Sequence, residues 1–279
     1  MSYTIFSTEG CARCKILKAR MAELGLAYEE HDFKGDGKEA FQKFYSANRK
    51  SVYRGAEGIE FPILTDGTVI KQGVGTALAY LEGGAAMDGF FRIGVMRKEW
   101  LDGIDLSGGN ETQGETFLKV LRYLKKNAMK MVIETNGKNP SLLQALLAEG
   151  LAEKIIMNVL GPLSMYSALA GEAIESQAVE QSISIVSKLC DYQFQTVVVP
   201  VRRSAEVINY MTPEEIGETA KLIEIASGSK KQPYLIRIFR QASSESAEIK
   251  ALGPLAQNML FPYRTAARAY QVAVEIEKE

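Results

Sequence analysis

The alternation of apolar and polar positions along this 279-residue chain changes rhythm once, near residue 84. An apolar run, Tyr3-Thr4-Ile5-Phe6, stops at Ser7-Thr8-Glu9-Gly10, which predicts a strand and a turn. Over residues 15–24, Ile16, Leu17, Met21 and Leu24 recur at the spacing of one helix face, so a helix is expected with Cys11 at its N-terminus. Residues 27–33 alternate as a second strand, and 38–48 form a helix with Phe41, Phe44 and Tyr45 inward. A polar loop over 49–58 follows. Residues 61–64 and 68–70, joined at Asp66-Gly67, predict a hairpin with Pro62 opening its first strand, where a missing N–H is tolerated. A helix over 76–81 completes this part, and residues 82–86, Glu-Gly-Gly-Ala-Ala, read as a hinge.

Beyond the hinge, short apolar strands (103–106, 129–134, 154–159, 196–201, 234–239) alternate with helices (116–127, 140–149, 176–189, 213–227). That order predicts a parallel sheet, open or closed into a barrel. Thr212 and Pro213 mark the start of the last of these helices. Residues 90–96 are a further strand candidate. Too few residues separate them from Gly103 for a parallel crossover, which needs about a dozen. Residues 241–250 are polar and expected to be mobile, and 265–277 predict an amphipathic helix able to close one edge of the sheet. The expected organisation is α/β throughout, with domains at 1–84 and 85–279.

Charge narrows the function. Lys plus Arg number 33 against 34 Asp plus Glu, without a basic block, which argues against nucleic acid as a partner. No apolar run approaches the ~20 residues of a membrane span, and the chain enters a strand at once, so a cytoplasmic protein without membrane attachment is expected. Three cysteines, two of them closely spaced, suit a reducing compartment.

The candidate chemistry is Cys11-Ala12-Arg13-Cys14. A thiolate at Cys11 would be favoured by the helix N-terminus and by Arg13 and Lys15, and Cys14, three residues on, could resolve a mixed disulfide. The alternatives are half of a zinc site or two ordinary small residues. Cys190 and His31 alone remain to complete a metal site, and neither belongs to a ligand-spaced pair. His31 is otherwise a solvated strand histidine, and Cys190 a buried helical cysteine.

Two resemblances follow. Residues 1–82 resemble a glutaredoxin in the strand leading into the two cysteines, in Phe61-Pro62, and in Gly73-Val74-Gly75-Thr76 before a short helix. The resemblance implies a cis Pro62 facing the thiols, backbone of Phe61 and Pro62 presented to a bound thiol, and Gly73, Gly75 and Thr76 near the carboxylate of glutathione. Arg13 then also borders the thiol substrate, glutathione or a protein. Between the cysteines this chain has Ala12 and Arg13, where that family usually has proline and an aromatic residue.

Residues 100–240 resemble radical S-adenosylmethionine activating enzymes in the ordered set Ser107-Gly108-Gly109-Asn110, Glu134-Thr135-Asn136-Gly137, Met157-Asn158-Val159-Leu160-Gly161-Pro162 and Val198-Val199-Pro200. That family holds a [4Fe-4S] cluster through Cys-x-x-x-Cys-x-x-Cys, a run this chain lacks, so the cluster and its reductive chemistry are not expected. The first strand, cluster loop and first helix are read as deleted or replaced. Ser107, Gly108, Gly109, Asn110, Glu134, Asn136 and Asn158 are then either a remnant small-ligand pocket or turn and cap residues of an inherited scaffold.

Three functions fit: a thiol-disulfide oxidoreductase whose truncated barrel recognises substrate or partner; a redox-responsive adaptor for a protein partner or a homo-oligomer; and carriage of a [2Fe-2S] centre or metal on Cys11. No resident cofactor is expected.

Overall fold

Strand β1 (Tyr3–Ser7) buries Ile5, Phe6 and Ser7 and organises the N-terminal sheet. The computed structural model describes residues 2–56, 58–94, 99–204, 207–241 and 246–278. Glu57 of the polar loop, Val95 and Met96 of the strand candidate, and 242–245 of the polar stretch lie outside them. After β1 come α1 (Ala12–Glu23), β2 (Tyr28–Asp32), α2 (Lys38–Ala47), the two-residue strands β3 (Arg54–Gly55) and β4 (Gly58–Ile59), β5 (Ile63–Thr65), β6 (Ile70–Gln72) and α3 (Val74–Gly83). The four-stranded sheet runs β2-β1-β5-β6, with β1 parallel to β2 and antiparallel to β5. This is the strand order of a thioredoxin-like fold.

The pattern of apolar positions accounts for the layers. Helix α1 buries Cys14, Ile16, Leu17 and Met21, and α3 buries Val74, Ala77 and Leu78. Phe41 of α2 joins Phe6, Val52 and Ile63 in one cluster, edged by Phe33, Phe44 and Phe61. Each such side chain contributes about 1.5–3 kcal/mol through burial.

The expected hinge is instead anchored. Helix α3 runs through Gly83 into a 3-10 turn at Gly84–Met87. Glu82, 4% exposed, accepts from Arg20 Nε at 2.5 Å and pairs with Lys119 Nζ at 2.6 Å. Burial alone would raise the Glu82 carboxyl, but the hydrogen bonds and charges of Lys119 and Arg20 outweigh it and hold it below the ordinary glutamate range.

From here the chain forms β7 (Trp100–Asp105), α4 (Gly114–Lys126), β8 (Lys130–Thr135), α5 (Pro140–Ala148), β9 (Lys154–Asn158), α6 (Leu163–Ala170), α7 (Ser176–Val186), β10 (Tyr192–Val198), a hairpin of β11 (Pro200–Arg202) and β12 (Ile208–Tyr210), α8 (Pro213–Ser227), β13 (Tyr234–Ile238), α9 (Ala247–Ala251), α10 (Phe261–Arg268) and β14 (Val274–Ile276). A six-stranded sheet runs β14-β13-β10-β9-β8-β7 with helices between its strands, the arrangement of a partial (β/α) barrel. Parallel registers join β9 to β10, β10 to β13 and β13 to β14. Ahead of β7, residues 90–92 pair with 103–105 in the antiparallel sense: Arg92 N–H donates to the Gly103 carbonyl at 2.8 Å and Asp105 N–H to the Phe90 carbonyl at 2.9 Å. So short a connection permits only that direction.

Two compact units result: Met1–Ile133 with Leu146–Glu153, and Glu134–Ala145 with Lys154–Glu279. Among the described residues no helix is long and apolar enough to cross a membrane.

Two further expectations are corrected. Residues 265–277 are not one helix: α10 ends at Arg268, and Val274, buried, pairs with Tyr234 in a strand. Glu277 fixes that end by accepting the Ile238 N–H at 3.1 Å and pairing with Arg237 at 3.0 Å. Cys190 is exposed on the turn after α7, because the helix stops at Val186. Helix α6 and the β11–β12 hairpin have no counterpart in the expected elements.

Helix α8 starts on a capping box, with Thr212 Oγ1 accepting the Glu215 N–H at 3.3 Å and Glu215 Oε2 accepting the Thr212 N–H at 2.8 Å. Thr212→Ala is expected to cost about 1 kcal/mol, read as a lowered urea midpoint; an unchanged midpoint would remove the cap from the account.

Candidate functional site

The turn after β1 sets Cys11 at the N-cap of α1, where its Sγ accepts the Cys14 N–H at 3.0 Å. That amide is one of the donors a helix start leaves unpaired, and negative charge on the sulfur would be favoured by it and by the helix dipole. Cys11 is half-buried, Cys14 is 2% exposed, and the two form a disulfide. Cys11 is thus the more exposed residue of the pair, while Cys14 is shielded.

Arg13 is engaged elsewhere. Its Nη1 donates to Glu60 Oε1 at 2.8 Å and its Nη2 to the Trp100 carbonyl at 2.6 Å. Glu60 stands two residues before Pro62, is 3% exposed, and leaves its buried Oε2 without a hydrogen-bond partner among the described residues. Burial drives the Glu60 carboxyl above the ordinary glutamate range; Arg13 pulls it down, Asp102 pushes it up, and burial wins. The positive charge inside the Cys-x-x-Cys turn therefore serves a buried carboxylate.

The Phe61–Pro62 peptide is cis. Phe61 stacks on Phe33 with ring centroids 5.7 Å apart, and Phe33 N–H donates to the Ser7 carbonyl at 2.8 Å, beside the turn that leads to Cys11. Pro62 is buried, and its carbonyl accepts the Gly73 N–H at 2.8 Å. Gly73 has φ +93°, and a Cβ there would stand 3.1 Å from Glu60 Oε1. A Cβ on Gly75 would lie 2.9 Å from the Phe91 ring and 3.5 Å from Leu101 Cδ2, so those side chains rest on the glycine. The Thr76 hydroxyl faces the carbonyls of Gln72 and Gly73 at 2.7 and 3.0 Å.

In the same unit, Ser107 N–H donates to Asp105 Oδ1 at 2.9 Å. A Cβ on Gly108 would fall 2.2 Å from the Gly89 carbonyl oxygen, and one on Gly109 2.2 Å from the Phe90 ring. Phe90 is fully buried and stacks on Phe117 at 4.6 Å. The Gly-Gly pair thus admits residues 89–90. Asn110 caps a short 3-10 turn, its Oδ1 accepting the Thr112 N–H and hydroxyl at 3.0 and 2.9 Å.

The second unit holds Glu134, Asn136 and Asn158. Asn158 Nδ2 donates to Glu134 Oε2 at 3.2 Å, and Gln195 Nε2 donates to Asn158 Oδ1 at 2.6 Å, a polar row from β8 through β9 to β10. Asn136 lies in the turn after β8, its Oδ1 accepting the Lys138 N–H at 3.0 Å and its carbonyl the Tyr166 hydroxyl at 2.6 Å.

Sequence reading did not find Glu60, Trp100, Gln195 or Tyr166. Glu60 carried one signal, a lone carboxylate abutting an otherwise apolar Phe-Pro-Ile-Leu run, and Gln195 another, the alternation of Gln193 and Gln195 with Phe194.

A radical-enzyme [4Fe-4S] cluster does not fit the residues present. The chain has three cysteines, two of them bonded to each other and the third, Cys190, isolated. Among the described residues no group of three or more His, Cys, Asp and Glu side chains is placed to hold a metal ion.

No family model matches the chain. A protein of Methanocaldococcus jannaschii, itself named by inference a glycyl-radical enzyme activating enzyme, is 24% identical over 170 residues, 61% of this chain and 68% of the relative. The similarity is distant. With the parallel sheet and its intervening helices, it supports a radical S-adenosylmethionine-like domain in this chain.

Two outcomes are expected. Gly109→Ala would drive a methyl group into the Phe90 ring and should destabilise by about 1–3 kcal/mol in denaturant titration; a neutral effect would remove the packing explanation. Because the folded-state pKa of Glu60 is raised, the stability it contributes is complete below the unfolded value of ~4.3 and is lost as pH rises through the folded value. Unfolding midpoints of the wild type should therefore fall relative to Glu60→Gln as pH rises from ~4 towards neutrality, and parallel curves would contradict it.

Proposed function

We propose that the dithiol of residues 1–84 is the redox centre of a thiol-disulfide oxidoreductase, and that residues 85–279 form a radical S-adenosylmethionine-like partial barrel, without its cluster, that recognises a protein partner. The observation that carries this reading is the placement of Cys11 at the N-cap of α1, reachable from solvent, beside the shielded Cys14. A glutaredoxin-like strand order and the neighbouring Phe61–Pro62 support it. The relative's name concerns activation of an enzyme, which favours a protein as the partner of the barrel. A reducing cytoplasm is the compartment that suits an active dithiol.

In the reduced protein, the Cys11 thiolate attacks one sulfur of a substrate disulfide. That S–S bond breaks, a mixed disulfide forms, and one substrate thiolate leaves. The Cys14 thiolate then attacks the Cys11 sulfur, forming the Cys11–Cys14 disulfide and releasing the second thiol. Two electrons pass from the dithiol to the substrate, and an external dithiol restores the reduced state.

The Cys11 thiol should titrate below the ~8.5 of a free cysteine. Cys11→Ser should reduce disulfides no faster than buffer, whereas Cys14→Ser should stop at a trapped mixed disulfide visible by mass spectrometry. Full activity in Cys11→Ser would end this reading, and an inactive wild type with an ordinary thiol pKa would leave the adaptor role.

A further inference from the structure

Resting on the oxidoreductase reading, we infer that the substrate of the dithiol is a polypeptide disulfide and that glutathione is not its partner. A small charged tripeptide is recognised by groups that pair with its terminal carboxylates, and here the Arg13 and Thr76 side chains and the space over Gly73 and Gly75 are taken up by the chain itself. Arg13, the cation within the motif, is held between Glu60 Oε1 at 2.8 Å and the Trp100 carbonyl at 2.6 Å. Gly75 lies under Phe91 and Leu101, whose atoms would stand 2.9 and 3.5 Å from a Cβ at that position. The Thr76 hydroxyl faces the Gln72 and Gly73 carbonyls. Gly73 is itself buried, with Glu60 Oε1 3.1 Å from where its Cβ would be, so the space beside it is already filled by that side chain.

What remains beside Cys11 is of another kind. The stacked pair Phe33 and Phe61 is half-buried and adjoins the turn into Cys11, while Ala12 and Gly10 are exposed. A disulfide within a polypeptide brings sulfur, backbone and apolar neighbours and needs no site for charged ends. Phe91, Trp100 and Leu101 follow the thioredoxin-like part in sequence and belong to the same compact unit, so the closure is built into the chain.

The test compares two substrates on the full-length protein. Insulin, with dithiothreitol as the external dithiol, probes polypeptide disulfides. A mixed disulfide of 2-mercaptoethanol and glutathione, with glutathione as reductant, probes the tripeptide. The expected result is Cys11-dependent reduction of insulin, with kcat/KM for the glutathione mixed disulfide lower by more than about a hundredfold and no saturation in glutathione. Saturable, Cys11-dependent turnover of the glutathione mixed disulfide would overturn the inference while leaving the oxidoreductase intact. Failure to reduce either substrate would remove the oxidoreductase reading, and the inference with it.

Discussion

The pairing of Arg13 with Glu60 is the constraint on which the N-terminal half depends. A carboxylate buried to this degree is tolerated only with a cation and hydrogen bonds at hand, and losing one partner of such a pair typically costs about 3–5 kcal/mol. Arg13 belongs to the turn that carries the two thiols, Glu60 to the approach to Pro62, and the second arm of the guanidinium ends on the carbonyl of Trp100 in β7. One side chain thereby fixes the Cys-x-x-Cys turn, the proline loop and the first strand of the larger sheet. The planar fork of arginine reaches both acceptors at once, which the point charge of a lysine would not reproduce.

The second unit shows what a radical-enzyme-like sheet keeps without cluster ligands. Its strands still alternate, with Met157, Phe194 and Ile236 buried on one face and Asn158, Gln195 and Arg237 on the other. The polar groups are tied in a row, with Glu134 and Gln195 both bonded to Asn158. A hydrogen-bonded row of this kind ties three neighbouring strand ends together.

Much of the fold was legible because local rules and global packing agree. The helix after Cys11, the Thr212 cap and the strands of the parallel sheet all followed from periodicity and capping chemistry. The misreadings came where tertiary contacts override local composition. Gly83 and Gly84 suggested a hinge, yet the carboxylate of Glu82 is fastened to α1 and α4. Residues 265–277 suited one amphipathic helix, but an available sheet edge took Val274 into β14. At the candidate site the cysteines and their helix were legible. The partner of Arg13 was not, since a sequence separation of 47 from Glu60 leaves no periodic trace.

Residues 89–91 serve two glycine motifs at once: Phe91 rests on Gly75, and Gly89 and Phe90 fill the space over Gly108 and Gly109. The thioredoxin-like part is therefore not a detachable cassette. Excised at residue 84, it would lose the side chains that rest on Gly75 and the carbonyl that Arg13 grips. The first compact unit runs on to Ile133, so the smallest portable piece of this protein is longer than its first 84 residues.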